Sequence, residues 1–316
     1  AIMPALSNVE TGMLKLLNLL KDGRFHSGQA LGHALGVSRS AVWQQLQHLE
    51  TELSLVIHKV KGRGYRLATP LSLLEASAIA ASSATGAWPV RIHDTLDSTN
   101  AEALRCVAMG HTAPFMVLAE RQSSGRGRRG RQWISPFGDN LYYSLVLRVE
   151  GGMRQLEGLS LVVGLAVMRV LQDFGVKQVG LKWPNDVLIG NKKISGILLE
   201  LVGDPADVCH LVVGIGINVN MQHNDQVDQQ WTSMRRELGE LIDRNLLVAR
   251  LGEQLQLEFA RHQEGGFPAF REEWERAHLW PRQKLLLIAG NQNIEGIGLA
   301  VAGPVGLRRE VDGSER

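Results

Sequence analysis

Cysteine is almost absent from this chain. Cys106 and Cys209 are the only two in 316 residues, far apart and without metal-ligand spacing. That excludes a disulfide framework and a structural zinc site, and the expectation is a reduced, cytoplasmic protein. Long apolar runs are missing too: no segment spans a membrane, and the N-terminus lacks a basic region followed by an apolar stretch. Charge of one sign is scarce, with a formal net charge of +2. Bulk coating of nucleic acid is therefore excluded, and any DNA contact must come from a local patch. No internal repeat is found. What remains is ordinary for a soluble globular protein, 44% hydrophobic and 21% charged. The length predicts two or three domains with a substantial core.

One stretch departs from this plain background. Residues 115–149 read as two apolar, β-branched and aromatic runs, Phe115–Glu120 and Leu141–Val149, which predict buried strands. Between them lies Gly125-Arg126-Gly127-Arg128-Arg129-Gly130-Arg131. Glycine allows positive φ and close backbone approach, while arginine supplies a permanent charge and a donor fork for carboxylate or phosphate. The pattern suits a small anionic ligand held at a sheet edge. Gly125, Gly127 and Gly130 formally match the dinucleotide fingerprint, but that fingerprint must open a helix. Ser135-Pro136 and Gly138 follow and oppose one. A basic nucleic-acid patch and a plain solvated loop are the remaining alternatives. Ordering alternating Gly and Arg is entropically costly without a ligand.

Before this stretch, Val9–Leu20 carries an apolar stripe at helical spacing. Ser27 can cap a second helix with Ala30, Leu31, Ala34 and Leu35 inward, and Ser38 a third with Val42, Leu46 and Leu49 inward. Gly36 breaks the two, which is the helix-turn-helix pattern. Arg39, Ser40, Gln44 and Gln47 stand on the outer face, suited to phosphates and base edges. Leu55–Val60 and Gly64–Leu67 then alternate around Lys61-Gly62-Arg63-Gly64, a hairpin with a basic tip like the wing of a winged helix. Residues 1–70 hold eight Lys/Arg and four Asp/Glu, a difference of +4 against +2 for the whole chain. DNA binding is the favoured reading, and a helical interaction domain with an incidental basic hairpin the plain one. Trp43, beside the outer face, is open to either.

Leu71, Leu74, Ala78 and Ile79 predict a connecting helix, followed by a linker to Gly86. The central domain begins near Trp88. Its first strand leads into Asp97-Ser98-Thr99-Asn100, short polar residues that can cap a helix and also bind polar ligand groups. Leu156–Phe174 predicts a buried helix. Val179–Ile189 contains Lys182-Trp183-Pro184-Asn185-Asp186, where proline marks an edge strand or bulge. Lys192-Lys193 precedes a strand to Leu201, and Leu211–Val219 closes as Gly214-Ile-Gly-Ile-Asn218, glycines that suggest close backbone approach. Two helices follow around Arg250–His262 and Phe267–His278. Lys284–Ala289, Ile294–Val301 and Val305–Val311 predict a small β module. The fold class is α+β: an N-terminal winged helix-turn-helix (1–69), a connecting helix and linker (70–87), a central mixed sheet with packed helices (88–280) and a small C-terminal module (281–316).

Taken in this order, the motifs resemble those of the bifunctional biotin–protein ligases that also repress the biotin operon. The resemblance rests on Asp97–Asn100, Gln122 with Gly125–Arg131, Trp133, Lys182–Asp186, Lys193 to Gly196, and Gly214–Asn218, and it covers nearly the whole chain. It implies formation of biotinyl-5′-AMP from biotin and magnesium-ATP, then transfer to a lysine of a biotin carboxyl carrier protein. It further implies a homodimer, formed when the adenylate is bound, that occupies operator DNA. Biotin contacts are expected from Ser98, Thr99, Asn100, Gln122, Gly125, Arg126, Gly127, Arg128 and Lys193. Adenylate contacts are expected from Arg128, Arg131, Trp133, Asn185, Asp186 and Asn218, with Asp186 the candidate magnesium ligand. The catalytic set is Lys193, Arg128, Arg126 and Asp186, and the DNA set is Arg39, Ser40, Gln44, Gln47, Lys61 and Arg63. No P-loop is present, which agrees with charge neutralisation by Arg and Lys. A repressor that senses biotin with little transfer, and a lipoate ligase, are the alternatives. In the family pattern the SH3-like C-terminal barrel continues into an arginine-bearing strand. The sequence through Arg316 holds no such strand, so a shortened barrel is expected.

Overall fold

The structure is a computed structural model; it describes residues 8–150, 156–204 and 208–280, together with four strands between 284 and 315. The chain opens with α1 (Asn8–Leu20), α2 (Gly28–Leu35) and α3 (Arg39–Leu53), then an antiparallel hairpin of β1 (Ile57–Val60) and β2 (Gly64–Leu67). Both anticipated caps form. Ser27 Oγ accepts from Ala30 N at 3.0 Å, and Ser38 Oγ from Ala41 N at 3.2 Å. Gly36 ends α2 in the left-handed region, φ 67°. Leu16, Leu17, Leu20, Leu31, Val42, Leu46 and Leu49 form the core beneath the hairpin. Ala30 and Ala34, expected inside, are exposed. The short helix α2 packs through Leu31 and Gly32 instead, and a Cβ on Gly32 would lie 2.8 Å from the carbonyl of Val37.

The connecting helix is shorter than its apolar spacing predicts. Residues 70–75 are not helical, and only Ala76–Ser82 (α4) is. The reason is where the backbone groups go. Leu71 N donates to Lys21 O at 2.9 Å, and Leu74 N to Glu120 Oε1 at 2.6 Å. Arg244 Nε donates to Ser72 O at 2.7 Å, and Asn245 Nδ2 to Leu73 O at 2.9 Å. Tertiary partners thus replace helical ones. Leu71 and Leu73 join the N-terminal core together with Phe137, whereas Leu74 joins the central core. Arg244 is 0% exposed and pairs with the Glu120 carboxylate. Its further bond to Asn140 O, at 2.9 Å, helps satisfy the buried guanidinium.

The central sheet is built from β3 (Val90–Leu96), then after α5 (Thr99–Ala108) from β4 (Phe115–Gln122) and β5 (Leu141–Glu150), and after α6 (Leu159–Asp173) from β6 (Val179–Lys182), β7 (Asp186–Ile189), β8 (Lys192–Gly203) and β9 (Val208–Ile217). The strand order is β3-β4-β5-β9-β8-β7-β6, parallel between β3 and β4 and antiparallel elsewhere. Val179–Ile189 is therefore a hairpin, with Trp183-Pro184-Asn185 at its turn and β6 at the sheet edge. Proline sits where no ladder bond is needed. Then come α7 (Met234–Leu238), α8 (Arg244–Gly265) and α9 (Arg271–Ala277). Helix α8 starts ahead of the expected Arg250 because Asp243 caps it, accepting from Asn245 N at 2.8 Å. Helices α6 and α8 share one apolar core with Leu211, Val213, Ile215 and Ile217 of β9. On the other face α5 packs beside Val117, Val146 and Val212.

Strands β10 (Lys284–Ala289), β11 (Gln292–Ala302), β12 (Gly306–Val311) and β13 (Ser314–Glu315) form a separate antiparallel sheet in that order. The last of them is a two-residue strand, pairing Ser314 with Val311 and Glu315 with Glu310. Among the described residues, no helix is long and apolar enough to cross a membrane.

Candidate active site and DNA-facing surface

Alternation along β8 and β9 turns Gly196, Leu198, Gly214 and Gly216 toward the face that α5 covers only in part. Gly196 pairs with Gly216, and Leu198 with Gly214. This nearly bare floor is needed by what lies on it. A Cβ on Gly214 would stand 2.4 Å from Asn100 Oδ1, and one on Gly216 2.5 Å from the Trp133 ring. The close approach inferred from the glycines is therefore real, and its objects are an amide and an indole.

The N-terminus of α5 makes the first wall. Ser98 caps the helix, while Thr99 N donates to Gln122 Oε1 at 2.8 Å. Ser144 Oγ lies 2.8 Å from Thr99 Oγ1 and 2.5 Å from Asn100 Oδ1. Ser98, Thr99 and Asn100 are all buried. Asp97 turns away and pairs with Arg105 at 2.7 Å. Arg105 holds its carboxyl down to about 2.

The Gly/Arg loop makes the second wall. It folds back on itself, with Gly127 N bonded to Arg131 O at 2.7 Å and Trp133 N to Gly125 O at 2.8 Å. No long helix follows; Arg128–Gly130 is a single 3-10 turn, so the dinucleotide alternative fails on its own criterion. Arg126 reaches Glu200 at 3.0 Å, and Arg128 donates to Asn185 Oδ1 at 3.2 Å. Burial, then the neighbouring Arg129, pushes the pKa of Arg128 down. Gln122 Nε2 donates to Ser135 Oγ at 3.0 Å, and Tyr142 OH to Pro136 O at 2.7 Å, fixing the segment beyond the loop.

At the far end, Lys193 Nζ stands 2.7 Å from Asp186 Oδ1 and 5.4 Å from the Trp133 ring centre. The Trp133 Nε1 is buried without a partner among the described residues. It is a donor that a ligand could satisfy.

Ser98, Thr99, Asn100, Gln122, Arg126, Gly127, Arg128, Trp133, Asn185 and Lys193 thus line one cavity. Gly125 and Arg131 line an adjoining groove together with Leu198 and Glu200 of β8. Asn218 lies beneath: it is buried, and its Nδ2 donates to Thr232 O at 3.0 Å and Lys193 O at 3.4 Å, so it braces the backbone of Lys193. Sequence reasoning passed over Tyr142, Tyr143, Ser144, Ser135 and Glu200. Tyr142, Tyr143, Ser144 and Glu200 sit in apolar or unremarkable strand sequence and Ser135 in the segment between β4 and β5, and only the tertiary fold brings them here.

On the N-terminal unit, Arg39, Ser40, Gln44, Lys61 and Arg63 are exposed. Gln47 is half-buried and donates to Glu50 at 2.8 Å. Arg63 stacks over Phe25 with its guanidinium carbon 4.3 Å from the ring centre. Trp43 is 51% exposed on the outer side of α3, which removes it from the core.

A helix-turn-helix unit joined to a mixed sheet with a cationic, glycine-floored cleft defines a DNA-binding ligase of the biotin/lipoate type. Residues 13–66 match the helix-turn-helix domain family, and residues 95–218 the biotin/lipoate A/B protein ligase family. Over 302 residues the chain is 37% identical to the bifunctional ligase/repressor BirA of Salmonella typhimurium, covering 95% of this chain and 93% of that one. It is equally similar to BirA of Escherichia coli, with 37% identity over 302 residues and 92% of that protein covered. Among solved structures it resembles the biotin protein ligase of Aquifex aeolicus in complex with biotin and ATP, with TM-score 0.63, 28% identity, and 72% of this chain and 94% of that one covered. The chain belongs to the family of bifunctional biotin ligase/repressors.

Proposed function

We infer that this chain activates biotin with ATP to biotinyl-5′-AMP, passes the biotinyl group to a lysine of a biotin carboxyl carrier protein, and represses transcription by binding operator DNA. The observation that carries the reading is the convergence of the α5 N-terminus, the Gly/Arg loop and Lys193 on one glycine floor, in a chain that also holds a helix-turn-helix. A carboxylate and an α-phosphate approach each other only where cations neutralise both. Arg126, Arg128, Arg131 and Lys193 surround or adjoin that point. Ser98, Thr99, Asn100 and Gln122 are short polar partners for the ureido ring, with Gly125 and Gly127 letting the loop backbone close. Trp133 offers an aromatic face and a free indole N–H to the adenine side, where Asn185 and Asp186 lie and Asn218 braces Lys193.

Asp186 and Glu200 are carboxylates at the cleft, and both already face a cation. The described residues contain no cluster of three or more metal-ligating side chains. That donor set fits magnesium carried by phosphate oxygens and water with at most one carboxylate, Asp186. The protein is cytoplasmic and dimerises when the adenylate is bound. Residues 1–69, 70–87, 88–280 and 281–316 act as DNA-binding unit, connector, catalytic domain and small SH3-like module.

Labelled biotin incorporation into a carrier domain, with ATP and magnesium, tests the enzymatic half; lipoate incorporation in its place would move the chain to the sister branch. For the other half, deleting residues 1–66 abolishes operator binding, and Arg63→Gln reduces the salt slope by about 1. Equal operator affinity with and without biotinyl-5′-AMP would reject the coupling of the two halves.

A further inference from the structure

No motif points to Glu200, yet it joins the two walls of the cleft. It projects from β8 on the same face as Gly196 and Leu198, opposite Val212 in register. Its side chain is 25% exposed, and its Oε2 accepts both Asn100 Nδ2 at 2.7 Å and Arg126 Nη2 at 3.0 Å. Asn100 is itself locked. It is buried against Gly214, and its Oδ1 faces the Ser144 hydroxyl, so its Nδ2 must point at Glu200. The carboxylate is thus oriented from the core side before Arg126 meets it. The two loop arginines on the cavity then differ in kind. Arg126 has its charge compensated inside the protein, across 74 residues of chain. Arg128 rests on the neutral amide of Asn185, in a place where burial disfavours its charge. An anion gains most beside the second sort of cation.

We propose that Glu200 is a positioning residue that tethers the Gly/Arg loop through Arg126, leaving Arg128 as the loop cation that meets the substrate anion. This rests on the ligase reading above and divides between the loop arginines a task there shared. Glu200→Gln keeps the acceptor for Asn100 and removes only the charge. Hydrogen exchange on residues 123–131 of the ligand-free full chain reads the tether directly. Glu200→Gln and Arg126→Gln each raise that exchange about threefold, and the double variant exceeds neither, because both delete one interaction. Raising salt from about 0.05 to 0.5 M speeds exchange in the wild type but not in Glu200→Gln. Escape of preformed biotinyl-5′-AMP quickens about threefold in Glu200→Gln. Unchanged exchange and escape in Glu200→Gln would overturn the proposal, as would multiplicative exchange effects in the double variant, since Arg126 would then hold the loop independently of Glu200. Failure of the ligase reading shows differently: the wild type forms no adenylate, while the exchange arm still reports on the tether.

Discussion

The two faces of the central sheet share every strand and almost nothing else. Along β9, Leu211, Val213, Ile215 and Ile217 enter the apolar core with α6 and α8, while Gly214 and Gly216 face the cleft. Along β8, Ile197 is core, whereas Gly196, Leu198 and Glu200 face α5 and the Gly/Arg loop. The period of two separates stability from chemistry in a single strand. On one face, volume is what matters, because the helices must be met without gaps. On the other, side chains are withheld so that Asn100, Trp133 and a ligand can come close. A substitution should therefore report on one face and spare the other.

The largest expected effect lies on the helix face. Leu211→Ala lowers stability by about 2–5 kcal/mol, since the cavity it leaves cannot fully collapse. Denaturant unfolding measures this, and the biotin KM of the folded fraction stays as in the wild type. A changed KM with unchanged stability would mean that the faces are not separable. Next comes Lys193→Ala, which slows single-turnover adenylate formation roughly 10²–10³-fold and leaves the unfolding midpoint nearly in place. A rate within about twofold of the wild type would remove Lys193 from the chemistry. Gly216→Ala follows, at about 10²-fold in the same assay, because its methyl group displaces the Trp133 ring. If the rate holds, the floor does not need to be bare.

The smallest effect is at the rim, where Asp97 opens the turn into α5 and pairs with Arg105. Arg105 lowers its pKa from 3.8 to about 2. The depressed value means that the pair's contribution is complete above the ordinary pKa and lost as pH falls through about 2. Both partners are half exposed, so Asp97→Asn costs at most about 1 kcal/mol near neutrality, and the difference from wild type closes in acid. Urea titrations at pH 7 and pH 2.5 check it. A constant difference would assign the effect to the turn rather than to the charge.

Much of this was legible before any fold was known. Ser27, Ser38 and Ser98 announce helix starts, and each hydroxyl accepts from a backbone N–H of the first turn. Gly214 and Gly216 announce a close approach, without naming Asn100 and Trp133 as its objects. The strand run Leu141–Glu150 shows why the rest stayed hidden. Leu, Tyr, Tyr, Ser, Leu and Val stand in succession, all buried on both faces. Where both faces are covered, alternation carries no signal for which residue looks into a cleft. Tyr142, Tyr143 and Ser144 were missed for that reason. The segment 70–75 was misread for another: its helical spacing is genuine, but Glu120, Arg244 and Asn245 take its backbone groups from far along the chain.

The sequence by itself determined the inventory: a capped helix-turn-helix with a basic hairpin, a cationic glycine loop, a Lys-Trp-Pro-Asn-Asp turn, the Lys192-Lys193 pair, and strands with glycines at one end. Those are local properties, set by side-chain chemistry and by periods that adjacent residues express together. Only the tertiary structure decided the pairings: Arg126 with Glu200, Arg128 with Asn185, Lys193 with Asp186, Arg244 with Glu120. Four arginines within seven residues look alike in a string. Arg126 and Arg128 become different when they meet Glu200 and Asn185, partners of unlike charge, and that meeting depends on strand register across the sheet.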